Sequence, residues 1–438
     1  MNHPLPDPSP RAARPQIHAI FPLTWKDIAA VFFLAVVVRG AWGAYHEVTR
    51  SPTAPAFEFP DEQQYWTIAE SIARGDGMRD ELGFRASRMP LYPAFLSLFA
   101  RFDGGVLFAR VFHWVIGAIG VVAAASLASQ LFGRRVGLTA GVLVAIDPFL
   151  VFSSSLLLTE TPFILAMLLF FQSVAPLMLR PSMTVSLQSS MVIGLMGALC
   201  VYVRVSSLGL VVVTLLLVGL RRRFDQPAFR LIGGSLFLVI LTLVPWMLRN
   251  RSILGEPVWL TTRAGISLFD GVGPQADGTS DLGTIKTMPE VAELTELQWN
   301  RYFIRRALEA MKDRPGRIAK LALVKIGRMW NPVPNVKAYR SSLVRMVAAA
   351  WSIPIFALAI VGCMILPSRR DPGGLWVAGF LLLPAIYFTA LHSVFVGSVR
   401  YRLAAVVTLE ILAAVAILAA WNSYKNHKQA TALEGRDR

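Results

Sequence analysis

Residues 149–171 read FLVFSSSLLLTETPFILAMLLFF: an apolar run carrying a single acid, Glu160, set between Thr159 and Pro162. A helix needs roughly 20 apolar residues to cross the hydrocarbon of a bilayer. Runs of that kind recur outward in both directions, and we count about ten, near 25–45, 106–130, 136–152, 161–179, 189–203, 205–220, 230–248, 343–366, 373–393 and 403–421. Residues 189–220 read either as one bent span or as two short ones. With 55% hydrophobic residues and a mean hydropathy of +0.53, the chain is too apolar for an ordinary soluble protein. Only helices and closed barrels satisfy their backbone in lipid, and no two-residue alternation is present. The expected fold class is therefore an all-α integral membrane protein, a multi-span helical bundle.

This division leaves a tail at 1–24, a transmembrane module at 25–248 with a loop at about 46–105, a large loop at 249–342, closing spans at 343–421 and a tail at 422–438. The formal charge of +16 invites a nucleic-acid reading. Much of it instead lies in short connections that alternate with the spans: Arg134-Arg135, Arg180, Arg221-Arg222-Arg223, Arg369-Arg370, Lys425 and Lys428, together with Arg11, Arg14 and Lys26. Positive charge collects on the cytoplasmic side of membrane proteins. The pattern predicts both termini in the cytoplasm, both long loops outside, and no nucleic-acid partner. No cleavage site precedes the first span, which is expected to act as an uncleaved anchor. Cys200 and Cys363 fall within spans and read as small apolar fillers, without disulfide or zinc spacing.

In the first loop, Pro60 opens a helix with acids in its first turn, and Gly75 ends it. Tyr65, Ile68, Ala69 and Ile72 share one face, which predicts a helix lying on the membrane surface. A second element, RMPLYPAFLSLFAR, is too short to span and reads as interfacial. The large loop begins with PWMLRNRSILGEPVWL, and the Gly/Asp/Ser-rich run that follows through Gly283 reads as irregular. Helices follow from Pro289 to about 313 and from Arg317 to about 330. On the latter, Arg317, Lys320, Lys325 and Arg328 cluster on one side, suiting anionic headgroups or a lipid phosphate.

Acids held against a bilayer are costly, which makes them candidates for function. Asp61 and Glu62 either dress a helix N-terminus or supply a general base. Glu160 either starts a helix or joins them to hold an acceptor or a divalent metal. Arg88 opens the interfacial element, Arg204 and Arg249 end spans on the outer side, and Arg400 and Arg402 bracket Tyr401 between the last two spans. Each reads as a snorkelling anchor or as a fork for phosphate oxygens. Arg110 and His113, inside the second span, read as partners across the bundle. Tyr92 belongs with the interfacial aromatics, which suit a membrane belt or sugar stacking. No Walker loop, dinucleotide fingerprint, His–Cys metal spacing or nucleophile elbow is present. An activated substrate is thus expected to arrive from the membrane.

The order of short motifs resembles the membrane glycosyltransferases of the GT-C fold, in particular family 39 and its relatives, the protein O-mannosyltransferases and the lipid A aminoarabinose transferase. The matching segments are FPDEQQYWTIAESIARGDG, RMPLYP, LFGRRVGL, DPF with LLLTETPF, PWMLRN with GEPV, and GSVRYRL. The resemblance implies a polyprenyl-phosphate sugar donor, inverting transfer on the extracytoplasmic face and no required cofactor. It implies Asp61 as base, Glu62 as the second acid of the pair and Glu160 near the acceptor or a metal. Arg88 and Arg249 are implied at the donor phosphate. The chain has fewer spans than the larger members and no stretch that reads as a soluble C-terminal domain. Ala404 stands where the family often has proline, close to Arg400 and Arg402. The acceptor class (glycan, lipid or protein) is open. A lipid-linked sugar flippase, which needs no base, is the rival from another functional class, and a non-catalytic scaffold is the third.

Overall fold

The computed structural model describes residues 23–50, 56–336, 339, 341–367 and 373–434; Arg11, Arg14, Arg369 and Arg370 lie outside them. Among the described residues, seven helices are long and apolar enough to cross a membrane. They are α1 (Trp25–Thr49), α4 (Gly105–Phe132), α7 (Glu160–Leu179), α10 (Gln226–Leu254), α15 (Ser342–Ile365), α16 (Gly373–Val394) and α17 (Leu403–Glu434). The protein is an all-α integral membrane protein. The departures from about ten straight spans have local causes. The expected span at 136–152 is broken into α5 (Arg134–Ile146) and α6 (Pro148–Ser153). At the break, Asp147 leaves helical geometry; its carboxylate accepts from Leu150 N at 2.8 Å and from Trp351 Nε1 at 2.6 Å. Residues 189–220 form two helices, α8 (Leu187–Val203) and α9 (Leu208–Arg221), separated at an extended Arg204. Beyond their far ends, Arg222 Nη1 donates to Met183 O at 2.9 Å, so the pair turns back on itself with Arg204 at the apex.

The bundle packs through small residues. Helix α4 lies against α1, α5 and α7, and α15 lies against α17. A Cβ on Gly362 would stand 2.0 Å from Leu412 O, and one on Gly137 2.7 Å from Ala125 O. Without a hydrophobic difference between lipid and helix, such close backbone approach is what holds spans together.

The spans define two poles. At one, Asp27 pairs with Arg134 at 2.6 Å, and Arg222 pairs with Asp225 at 2.8 Å. At the other sit α2 (Pro60–Ala73), α3 (Leu91–Ser97), the segments between α10 and α15, and the turn at Val399–Arg402. Helix α2 begins at Pro60 as its sequence predicts, but its apolar face does not lie on lipid. Ile68 packs among Ala198, Val201, Val239 and Leu243, while Tyr65 and Ala69 pack with Tyr92 and Leu96. The stretch expected to be irregular contains α11 (Ala264–Val272) and the short α12 (Leu282–Lys286). Helix α11 packs on α13 (Glu296–Asp313) around Phe269, Trp299 and Phe303.

Helix α14 (Pro315–Met329) also departs from the headgroup-facing expectation. Its basic face turns inward, leaving Lys320 exposed. Arg317 donates to the carbonyls of Val272, Gly273 and Ala276, and buried Lys325 donates to Val394 O at 2.6 Å. Burial, reinforced by Arg317, pushes the Lys325 ammonium down to about 8.

Replacing Gly362 by valine is expected to part α15 from α17 and cost at least about 2 kcal/mol. Thermal melting of the purified protein in detergent reads this directly; an unchanged midpoint would refute the close-packing argument.

Candidate active site

A cavity of about 1760 Å³ opens between α1, α15 and the polar pole. Its wall changes character along its length. Trp42, Ile146, Phe149, Phe152, Val344 and Val347 supply apolar wall, and Arg88, Arg204, Arg263 and Arg400 gather around Asp61 and Glu160. The apolar side is open laterally, where Tyr45 and Leu343 are 61% and 64% exposed.

Asp61 stands at the head of the polar side because Pro60 and the first turn of α2 place it there. Arg88 Nη2 donates to its Oδ1 at 2.5 Å and Arg400 Nη2 to its Oδ2 at 2.7 Å; Arg263 Nη2 lies 3.6 Å from Oδ1. Burial alone would raise this carboxyl. Arg88, Arg400 and Arg263 overcome that and hold it well below the usual carboxylate range. Arg400 also places Nε 2.7 Å from Glu160 Oε1, and Arg204 Nη1 approaches the same oxygen at 3.2 Å. Glu160 is 2% exposed and sits behind the arginines rather than on the cavity wall. Arg400 therefore joins the two acids across 99 positions of sequence separation in a continuous ionic network.

Aromatic faces complete the cradle. Arg88 lies 4.6 Å from the Tyr65 ring centre, and Arg204 and Arg400 lie 5.3 and 5.4 Å from that of Tyr401. Tyr401 stacks on His392 at 4.0 Å and 6°. Among the described residues, no group of three or more His, Cys, Asp or Glu is placed to hold a metal ion. Asp61 and Glu160, the acids expected to converge, are both engaged by guanidinium groups.

Besides Glu160, four residues expected in the site stand outside the cavity wall, each for a visible reason. Glu62 is fully buried and accepts from the backbone N–H of Glu58, Phe59 and Leu157 at 2.9, 3.1 and 2.8 Å, sealing the start of α2. Tyr92 lies behind Tyr65, edge to face at 4.9 Å, and is hydrogen-bonded to His113 Nε2 at 2.9 Å. Arg249 donates to Arg85 O at 2.6 Å and stacks on Trp246. Arg402 is 1% exposed and donates to the carbonyls of Met329 and Asn331 and to Ser352 Oγ, between the rings of Phe149 and Phe356. All four are braces. Arg110, likewise, pairs with Glu47 at 2.6 Å.

Two residues of the cradle were not singled out from the sequence. Arg263 is the only Lys or Arg between 252 and 285, and that isolation is the one signal that pointed to it. Gln64 gave none, yet its Oε1 accepts from Arg88 Nε and Nη2 at 2.8 and 2.6 Å and from Arg263 Nη1 at 2.8 Å. A further brace, Glu296, accepts from Arg85 N, Ala86 N and Thr262 Oγ1 at 2.6, 2.8 and 2.5 Å. It thereby fastens together the segments carrying Arg88 and Arg263.

No family model matches the chain, and no curated protein matches it. Solved structures do. The archaeal oligosaccharyltransferase AglB from Archaeoglobus fulgidus, in complex with an inhibitory peptide and a dolichol-phosphate, superposes with a TM-score of 0.53 at 12% identity, over 92% of this chain and 52% of that one. The Archaeoglobus fulgidus oligosaccharyltransferase tethered with an acceptor peptide via a disulfide bond gives 0.53 at 11% identity, over 91% and 50%. ArnT from Cupriavidus metallidurans bound to undecaprenyl phosphate gives 0.38 at 13% identity, over 90% and 77%. The chain spans about half the length of the archaeal enzyme. What the two share is the architecture: this chain has the GT-C fold.

Proposed function

We propose that the protein is a membrane glycosyltransferase that moves a sugar from a polyprenyl-phosphate donor to an acceptor on the extracytoplasmic face, with inversion. The observation that carries this reading is the juxtaposition of a guanidinium cradle with a laterally open apolar wall in one cavity. An isoprenoid tail suits the apolar side between α1 and α15, and the phosphate suits Arg88, Arg204, Arg263 and Arg400. Arginine forks match phosphate oxygens in pairs and keep their charge when buried. The archaeal neighbour was solved with a dolichol-phosphate, a ligand of this chemistry.

In the proposed step, an acceptor hydroxyl attacks the anomeric carbon from the face opposite the phosphate. The new carbon–oxygen bond forms as the bond to the phosphate oxygen breaks, and that oxygen departs with the electron pair. Asp61 takes the hydroxyl proton. The phosphate gains one negative charge on leaving, and the cradle stabilises that charge more strongly in the transition state than in the bound donor. Glu160 holds Arg400 and Arg204 in place, and the step as written needs no cofactor. The acceptor is a glycan, a lipid or a protein. The cavity pole is assigned to the outside of the plasma membrane and both termini to the cytoplasm, because Arg134, Arg135, Arg180 and Arg221–Arg223 collect at the opposite pole.

A flippase would use the same arginines without a base. The polar cavity groups lie at one pole rather than along a path across the bundle, which favours transfer over transport.

Asp61→Asn is expected to lower release of free lipid phosphate from a polyprenyl-phosphate sugar by at least about 10²-fold, with membrane insertion intact. Full activity in that variant would reject the base assignment, and intact transport without transfer would favour the flippase. For sidedness, a cysteine at exposed Arg301 should react with an impermeant maleimide on intact cells, and one at Lys425 only after permeabilisation. The reverse labelling would invert the topology.

A further inference from the structure

Gln64 has no chemical part in the proposed step, yet it is the most connected neutral side chain at the cradle. It is 2% exposed. Its Nε2 donates to Asp80 Oδ2 at 3.1 Å, and Asp80 Oδ1 is itself fixed by the N–H groups of Leu82 and Phe84 at 3.0 Å each. That arrangement turns the amide carbonyl toward Arg88 and Arg263. A carbonyl oxygen gathers guanidinium groups without cancelling their charge; a carboxylate of the same shape would cancel one.

Two neutral hydroxyls, of Tyr65 and Ser206, also accept from Arg88 and Arg204, at 3.2 and 3.3 Å, and the remaining acceptors are carboxylates. At ion-pair distance, the four guanidinium groups of Arg88, Arg204, Arg263 and Arg400 meet two carboxylates, Asp61 and Glu160, while Glu81 and Asp270 act on Arg263 from farther off. Of the two carboxylates, Glu160 is closed off behind the arginines, whereas Asp61 is 21% exposed and lines the cavity. An incoming phosphate must therefore compete with Asp61 for the same N–H donors on Arg88 and Arg400.

We infer that Gln64 is a positioning residue that keeps the cradle cationic, and that Asp61 is its displaceable counter-ion, so the lipid phosphate binds before the acceptor is activated. This rests on the transferase reading proposed above and adds an order to it. While Asp61 is tied to Arg88 and Arg400, its oxygens are unavailable to a hydroxyl proton. A phosphate that takes over those guanidinium groups frees the carboxylate and sets a like charge beside it, and both changes make it more basic. The base then exists only when the donor is in place, and neither water nor an acceptor is activated in an empty site.

The test measures binding of a short-chain polyprenyl monophosphate, without sugar, to the full-length protein in detergent by titration calorimetry. Asp61→Asn should bind about tenfold tighter than the parent, because a counter-ion is lost, and Gln64→Glu about tenfold weaker, because one is added. Gln64→Ala, which removes the organiser without adding charge, should fall between the parent and Gln64→Glu. Thermal melting checks that each variant is folded; should Gln64→Glu melt early, the Asp61→Asn arm decides alone, since a gain in affinity cannot come from misfolding. Asp61→Asn binding no tighter than the parent overturns the inference, as does Gln64→Ala binding as weakly as Gln64→Glu. If Asp61→Asn loses transfer while its phosphate affinity is unchanged, the counter-ion role fails and the transferase reading stands.

Discussion

Gathering several guanidinium groups at the edge of a low-dielectric bundle is the constraint on which the rest of this structure turns. Each ion taken from water costs several kcal/mol after relaxation, and like charges a few ångströms apart add to that. The chain meets the cost with two carboxylates and with neutral acceptors that order the cations without discharging them. Asp61, Glu160 and the Gln64 carbonyl each contact two or more arginines, so no guanidinium of the cradle stands alone. With an effective dielectric of about 20, a close pair is worth about 4 kcal/mol. That is comparable with the desolvation cost, so the network is close to balance, and an anion entering the cavity competes on equal terms.

Much of the fold outside the cavity serves to hold these cations in register. Arg88, Arg263 and Arg400 come from three separate segments. Glu296 and Arg249 fasten the backbone around Arg85 and Thr262, on the approach to the first two arginines. Arg402 and Lys325 fasten the turn that bears the third: Arg402 is threaded beneath α14, and Lys325 is tied to the end of α16. An arginine buried among carbonyls and rings is an expensive brace, but it has reach and direction that an aliphatic side chain lacks. The same residue type thus does two jobs within three positions, Arg400 in the cradle and Arg402 in the frame.

The sequence made the membrane bundle legible because apolar length is a strong, one-dimensional signal. The start of α2 at Pro60 and the short α3 after Arg88 were legible from local chemistry alone. The breaks were less so. Asp147 splits a run that hydropathy reads as continuous, because a single buried acid satisfied by Leu150 N and Trp351 Nε1 can redirect a helix without altering the average. The inward turn of the basic face of α14 was hidden for a related reason. Amphipathic patterning says which residues share a face, not whether that face meets lipid or protein carbonyls. At the site, Asp61 and Arg88 were readable as polar residues of the first loop, and Arg204 and Arg400 as polar residues beside spans. Sorting them from Arg249 and Arg402, which stand in similar positions, required the tertiary structure. Gln64 was invisible, since a neutral amide on a helix carries no compositional mark.

The distribution of polarity in the cavity also bears on why a single pole carries the chemistry. A lipid-linked donor has its reactive carbon next to its phosphate, at the membrane surface, with the tail fixing the approach. An enzyme for such a substrate needs an apolar wall at the depth of the tail and cations one headgroup higher, arranged so that the phosphate cannot sink into hydrocarbon. Trp42, Phe149 and Phe152 line the same cavity as Arg88, Arg263 and Arg400. Transport across the bilayer would instead call for polar groups continuing toward the opposite pole. There, Asp27 is consumed by Arg134, and Arg222 by Asp225 and Met183 O, closing the bundle with short-range pairs rather than lining a path. The asymmetry between a pole whose ions face a cavity and a pole whose ions face one another is the physical basis for placing the proposed transfer at the first.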